Sequence, residues 1–177
     1  VLECTKCDDF YNVVLDKTAF FPEGGGQKND TGFLNDLPGF DVQEDRDVIY
    51  HYTRLPIKEA AVTGVIDWDK RFKKMQNHTA EHIISGVVHT HYGYENVGFH
   101  LGDDVVTMDY NGPLEQEDID KIEFLANKAV WENRSIKAYY PLEPQKLTYR
   151  SKLDLKENIR IVEIEGIDVC ACCVPHV

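Results

Sequence analysis

The 177-residue chain carries 19 lysines and arginines against 31 aspartates and glutamates, a net charge of -12 that excludes a broad basic face for non-specific nucleic-acid binding. Its 42% hydrophobic and 28% charged residues describe a globular protein of one large or two small domains. No apolar run approaches the ~18 residues that a membrane-spanning helix needs. Crowded thiols at Cys4, Cys7, Cys170, Cys172 and Cys173, with no secretory segment, favour a reducing cytoplasmic setting and metal binding over disulfides. A start at Val1 and a stop one residue after His176 read as a portion of a longer protein.

The first third has the signals of short strands. Residues 11–15, 48–52 and 60–66 are β-branched or aromatic runs, separated by Gly24-Gly25-Gly26 and by the turn cluster Asn35-Asp36-Leu37-Pro38-Gly39. Close turns between them predict a small barrel or meander. From Asp69 the apolar spacing turns helical through Phe72, Met75, His82, Ile83 and Gly86, predicting about four turns of helix. Residues 100–110 alternate as a strand, and Pro113 opens a second helix to Trp131 with Ile119, Ile122, Phe124, Leu125 and Val130 as its apolar stripe. Residues 135–140 and 159–164 read as further strands, and the domain boundary is expected at residues 66/67.

Two ligand pairs stand out. His78 and His82 are one helical turn apart, and residues i and i+4 share a helix face. Cys172 and His176 repeat the three-residue spacing in the tail, and together the four side chains suit a tetrahedral zinc site. Each pair alone is a weak signal; the combination is a moderate one. A four-thiolate site from Cys4, Cys7, Cys170 and Cys172 or Cys173 is a rival, as are the imidazoles of His89 and His91. Glu81 lies beside His82, where it reads either as a base or hydrogen-bond acceptor at the metal or as a solvent-facing helix residue. The order His-Thr-Ala-Glu-His differs from the His-Glu-x-x-His of zinc proteases, so that mechanism does not transfer. Lys70, Arg71, Lys73 and Lys74 form a local basic cluster before the histidines, either a phosphate contact or a solvated helix start.

The run Thr18-Ala19-Phe20-Phe21-Pro22-Glu23-Gly24-Gly25-Gly26-Gln27 followed by Asp30-Thr31-Gly32 resembles the glycine-rich motif of alanyl-tRNA synthetase editing domains and of free-standing AlaX proteins. Met75-Gln76-Asn77-His78-Thr79-Ala80-Glu81-His82 and residues 166–177 resemble two further motifs of that family, in the same order. Trp68-Asp69-Lys70-Arg71 and Gly98-Phe99-His100-Leu101-Gly102 also look like family positions. The resemblance implies an α+β fold: a small N-terminal β-barrel carrying the glycine motif (residues 1–66), then a zinc-binding editing domain with an antiparallel sheet and flanking helices (residues 67–177).

It implies a trans-editing hydrolase that cleaves serine or glycine from the acceptor end of tRNA(Ala), with zinc held by His78, His82, Cys172 and His176. Glu81 is then a candidate base. Gln27 and Thr31 are candidates for reading the serine hydroxyl, although Thr31 equally suits a turn. Gly24, Gly25, Gly26, Lys70, Arg71 and His100 are candidates for substrate and tRNA binding. The chain departs from the family's Cys-Gly-Gly-Thr-His with Cys172-Cys173-Val174-Pro175-His176, which stiffens the loop, removes a hydroxyl and adds a second thiol. His176 is the ligand expected to be held least firmly. The rivals are a non-catalytic zinc-containing tRNA-binding module and a zinc hydrolase acting on a small ester or amide.

Overall fold

A computed structural model describes residues 1–102, 105–151 and 158–177. The chain divides into two compact units, Val1–Lys74 and Met75–Val177. The first holds six strands, β1 (Glu3–Cys7), β2 (Phe10–Val14), β3 (Gly32–Leu34), β4 (Leu37–Asp45), β5 (Val48–Thr53) and β6 (Gly64–Ile66). They form one antiparallel sheet in the order β1-β2-β5-β4-β3-β6. Val13, Phe20, Leu34, Val42 and Ile57 make its core. Among the described residues no pairing joins β1 to β6, so the closed barrel of the sequence reading is not found. The three-residue β6 pairs only with β3, too short an edge to carry the ladder round.

The sequence signals located β2 and β5, gave β6 as the last three residues of the longer run 60–66, and missed β1, β3 and β4. Asn35 alone among the residues of the expected turn cluster takes a left-handed φ (52°), and the chain is already a strand at Leu37, Pro38 and Gly39. A β-bulge between Gly39 and Asp41 absorbs the irregularity.

The long helix α1 (Trp68–Tyr92) has 25 residues, nearly twice the expected length. Asp67 caps it, its carboxylate accepting from the Lys70 amide at 3.4 Å, and Gly93 ends it at φ 69° with its amide on the His89 carbonyl. The apolar pattern had weakened after Gly86, although Val87 and Val88 continue the buried face. In the second unit, the residues expected as one strand form a hairpin, β7 (Asn96–Leu101) and β8 (Val106–Tyr110); residues 103 and 104 lie outside the described ones.

Helix α2 (Gln116–Trp131) starts where Asp118 accepts the Glu115 amide. It buries Ile122 and Ala129, while Ile119, Phe124 and Val130 of the expected stripe stay exposed. The strands β9 (Ile136–Tyr139), β10 (Ile161–Ile164) and β11 (Asp168–Ala171) form a sheet in the order β11-β10-β9. Ile164 of β10 packs with Ile83 of α1 and Ala129 of α2, which joins this sheet to both helices. No helix of the described residues is long and apolar enough to cross a membrane.

Candidate metal centre

The helical spacing puts His78 and His82 on the inner face of α1, 3% and 2% exposed. The tail after β11 returns Cys172 and His176 to the same place. Ligand atoms of His78, His82, Cys172 and His176 all lie within 4.8 Å of one another. The Cys172 Sγ is 3.6 Å from His78 Nε2 and 3.5 Å from His176 Nε2. Zn–N bonds of about 2.05 Å and Zn–S bonds of about 2.3 Å meeting at the tetrahedral angle put nitrogen and sulfur roughly 3.6 Å apart. The donor set and its edges therefore fit a tetrahedral ion of zinc's size.

The departure at Cys173-Val174-Pro175 leaves this geometry intact. Val174 is fully buried, its amide points at Cys172 Sγ at 3.4 Å, and the Arg160 guanidinium donates to the carbonyls of Cys172 (2.8 Å) and Val174 (3.0 Å). Cys173 is exposed and takes no part in the cluster. His176, expected to be the loosest ligand, meets Thr79 Oγ1 through Nδ1 at 3.1 Å, and the Val177 amide donates to the same hydroxyl at 3.3 Å. Cys4 and Cys7 are three apart in β1, so they face opposite sides of the sheet and do not form a chelating pair. His89 is turned to Glu95 at 2.9 Å.

Charge is organised around the cluster. Burial disfavours the imidazolium of His82, but the hydrogen bond to Asp168 and the nearby Cys172 sulfur outweigh it and lift the pKa to about 9. Burial, then the neighbouring charges of His82 and His78, push His176 down to about 2. Burial first, and the two neighbouring imidazoles second, thus favour the neutral form of His176.

Glu81 is not the solvent-facing residue that was the simpler alternative. It is 5% exposed, and its Oε1 accepts from Ser85 Oγ at 2.8 Å and from Asn96 Nδ2 at 2.7 Å. Ser85 also hydrogen-bonds the Tyr110 hydroxyl at 3.1 Å. The second oxygen, Oε2, stands 3.8 Å from His82 Nε2. One oxygen is held and the other faces the ligand cluster.

The remaining sequence-predicted residues belong to the first unit, apart from His100, which is exposed on β7. Gly24–Gln27 is a tight hairpin turn closed by two backbone hydrogen bonds, with Gly25 and Gly26 at φ 59° and 79°, values that exclude most side chains. Gln27 is 1% exposed with neither amide atom hydrogen-bonded, and Thr31 Oγ1 is buried without a partner. Lys70 is exposed and paired with Asp67. Arg71 is committed elsewhere: its Nε reaches both oxygens of the buried Asp30 (2.9 and 2.8 Å), and its NH2 contacts that carboxylate and the Ala19 carbonyl. Lys74 Nζ donates to the carbonyls of Lys28 (3.3 Å) and Asn29 (2.5 Å). Arg71 and Lys74 therefore tie the start of α1 to the loop segments flanking the glycine turn.

No family profile matches the chain. Individual relatives do. It is 37% identical to the alanyl-tRNA editing protein AlaX-M of Methanosarcina acetivorans, over 96% of this chain and 78% of that protein. It is 32% identical to the alanyl-tRNA editing protein AlaX-L of Pyrococcus horikoshii over its whole length, and 36% identical to the alanine–tRNA ligase of Ignicoccus hospitalis over 93% of it. The chain belongs to the alanyl-tRNA editing family. It spans 47% of the Pyrococcus protein and 20% of the ligase.

Ligand spacing points to the four candidate ligands, and a place beside His82 points to Glu81, but neither points to the residues that brace them. Asp168, Arg150, Ser85, Asn96, Tyr110 and Thr79 were not singled out. Ser85 had a signal, since it follows Glu81 by one helical turn. Arg150 had none, because its partner is distant in sequence.

Proposed function

We propose that the chain is a zinc-dependent aminoacyl-tRNA deacylase that removes serine or glycine from tRNA(Ala) in trans. The observation that carries this reading is the cluster of His78, His82, Cys172 and His176, whose sulfur–nitrogen edges of 3.6 and 3.5 Å suit a tetrahedral ion, in a member of the alanyl-tRNA editing family. When bound, zinc supplies Lewis-acid polarisation of the ester carbonyl or an anchor for the substrate's α-amino group.

Glu81 is the base in this proposal. Its Oε1 is immobilised by Ser85 and Asn96, and Oε2 is left to take a proton from the attacking water. The water oxygen bonds to the ester carbonyl carbon, the bond to the ribose oxygen breaks, and the proton passes from Glu81 to that leaving oxygen. Gln27 and Thr31 are proposed to read the serine hydroxyl, a role supported by their unpartnered buried polar atoms. Gly24, Gly25 and Gly26 offer a side-chain-free turn for close approach of the acceptor end, and Lys70 and His100 offer exposed polar contacts. Arg71, engaged with Asp30, contributes by bracing this region before any phosphate contact. We retain residues 1–66 as the glycine-motif domain and 67–177 as the editing domain.

The test is incubation of the zinc-loaded protein with Ser-tRNA(Ala), Gly-tRNA(Ala) and Ala-tRNA(Ala). Release of serine and glycine with alanine retained is the expected result. Binding of tRNA without hydrolysis would instead assign a non-catalytic module with a degenerate Cys172–His176 loop.

A further inference from the structure

We infer that Asp168 and Arg150 are positioning residues for metal binding: Asp168 fixes the His82 ring, and Arg150 holds Asp168 in place. The inference rests on the reading of His78, His82, Cys172 and His176 as a metal centre. Asp168 Oδ2 lies 3.1 Å from His82 Nδ1. A carboxylate on one ring nitrogen makes that nitrogen the proton donor and leaves the electron pair on the other, here the Nε2 that faces the cluster. Among the described residues His176 meets the neutral hydroxyl of Thr79 through its second nitrogen, whereas His82 meets a carboxylate.

Arg150 makes the brace rigid. Its Nε donates to Asp168 Oδ1 and its NH2 to Oδ2, both at 2.8 Å, so the two carboxylate oxygens are engaged at once. Both side chains are nearly buried, 12% and 2% exposed, where an unpaired carboxylate would be strongly disfavoured. The Arg150 backbone is stitched to the same strand: its amide bonds the Val169 carbonyl at 2.8 Å, and its carbonyl accepts the Ala171 amide at 2.9 Å. A planar fork is required, since one ammonium cannot engage both oxygens in this geometry. Asp168 belongs to a separate group with His82 and Cys170, whose atoms lie within 4.8 Å of one another, and it reaches His82 at Nδ1. Arg150 thus keeps Asp168 on His82 Nδ1 as the support of that ring.

The experiment is zinc affinity by chelator competition on the intact chain for wild type, Asp168→Asn, Arg150→Gln, Arg150→Lys and the Asp168→Asn/Arg150→Gln double variant. Cobalt absorption reports ligand geometry, and circular dichroism reports folding. Asp168→Asn should weaken binding about 10- to 100-fold. Arg150→Gln should weaken it less, Arg150→Lys should fail to restore it, and Arg150→Gln should add no loss once Asp168 is gone, because it acts only through Asp168. A folded Asp168→Asn protein with wild-type affinity, or losses that multiply in the double variant, would overturn the inference while leaving the metal centre standing. A wild-type chain that takes up no zinc would remove the metal centre itself and the inference with it. If Asp168→Asn does not fold, Asp168→Leu/Arg150→Met removes both buried charges together and must show the same loss.

Discussion

Thr31 Oγ1 and both amide atoms of Gln27 are buried without hydrogen-bond partners, and a buried group left unpaired costs about 1–3 kcal/mol. A ligand hydroxyl would offset that cost, which supports the proposal that these two residues read serine. Thr31→Val keeps the shape and removes the hydroxyl. Hydrolysis of Ser-tRNA(Ala) should fall roughly 10-fold, the worth of one hydrogen bond. Hydrolysis of Gly-tRNA(Ala), which has no side-chain hydroxyl, should be unchanged, and thermal stability should hold. Equal rates on the serine substrate would take Thr31 out of the site. Glu81→Gln tests the other end of the chemistry: the amide still accepts from Ser85 and Asn96 but is no base. Deacylation should drop by about 10²-fold or more with zinc content unaltered. Retained turnover at full zinc loading would assign Glu81 to structure alone.

The helix α1 does most to build the centre, and one glycine decides how closely its neighbours approach. A Cβ at Gly86 would stand 2.6 Å from the Ile167 carbonyl oxygen and 2.9 Å from Asp168 Cβ. Alanine is favoured over glycine by about 1 kcal/mol inside a helix, so its absence here reflects packing against the β10–β11 hairpin. Gly86→Ala should therefore destabilise the protein by about 1–3 kcal/mol despite the better helix former, as a lowered denaturation midpoint will show. It should also weaken zinc binding, since the displaced residue is the one that braces His82. A neutral or stabilising effect would mean the hairpin shifts freely. The helix itself was legible because a period of 3.6 repeats locally, whereas β1, β3 and β4 were not. Pro38 and Gly39 read as a turn, yet lie in β4 because its neighbours pair with it on both sides.

For the molecule as a whole, the ligands come from the middle of the chain and from its last residues, so metal should act as a long-range staple. Removing it with a chelator should abolish deacylation and lower the unfolding midpoint, and zinc should restore both. At a free-metal concentration of 100 times the Kd the expected stabilisation is about 2.7 kcal/mol. A midpoint indifferent to chelation would place the ion outside the folded cluster. For the proposed tRNA substrate, the net charge of -12 predicts few phosphate contacts, so a plot of log affinity against log salt should have a shallow slope.

The sequence by itself determined the candidate ligand types, their paired spacing, the helix that carries two of them, and the family, because these depend on residue chemistry and local period. Only the tertiary structure decided that Cys172 and His176 return to that helix, that Glu81 is buried and held by Asn96, and that Arg150 clamps Asp168 against His82. Those are meetings of residues 15 to 97 positions apart. No local pattern encodes such pairs; they form when β7, β10 and β11 pack against α1 and the buried charges must find partners.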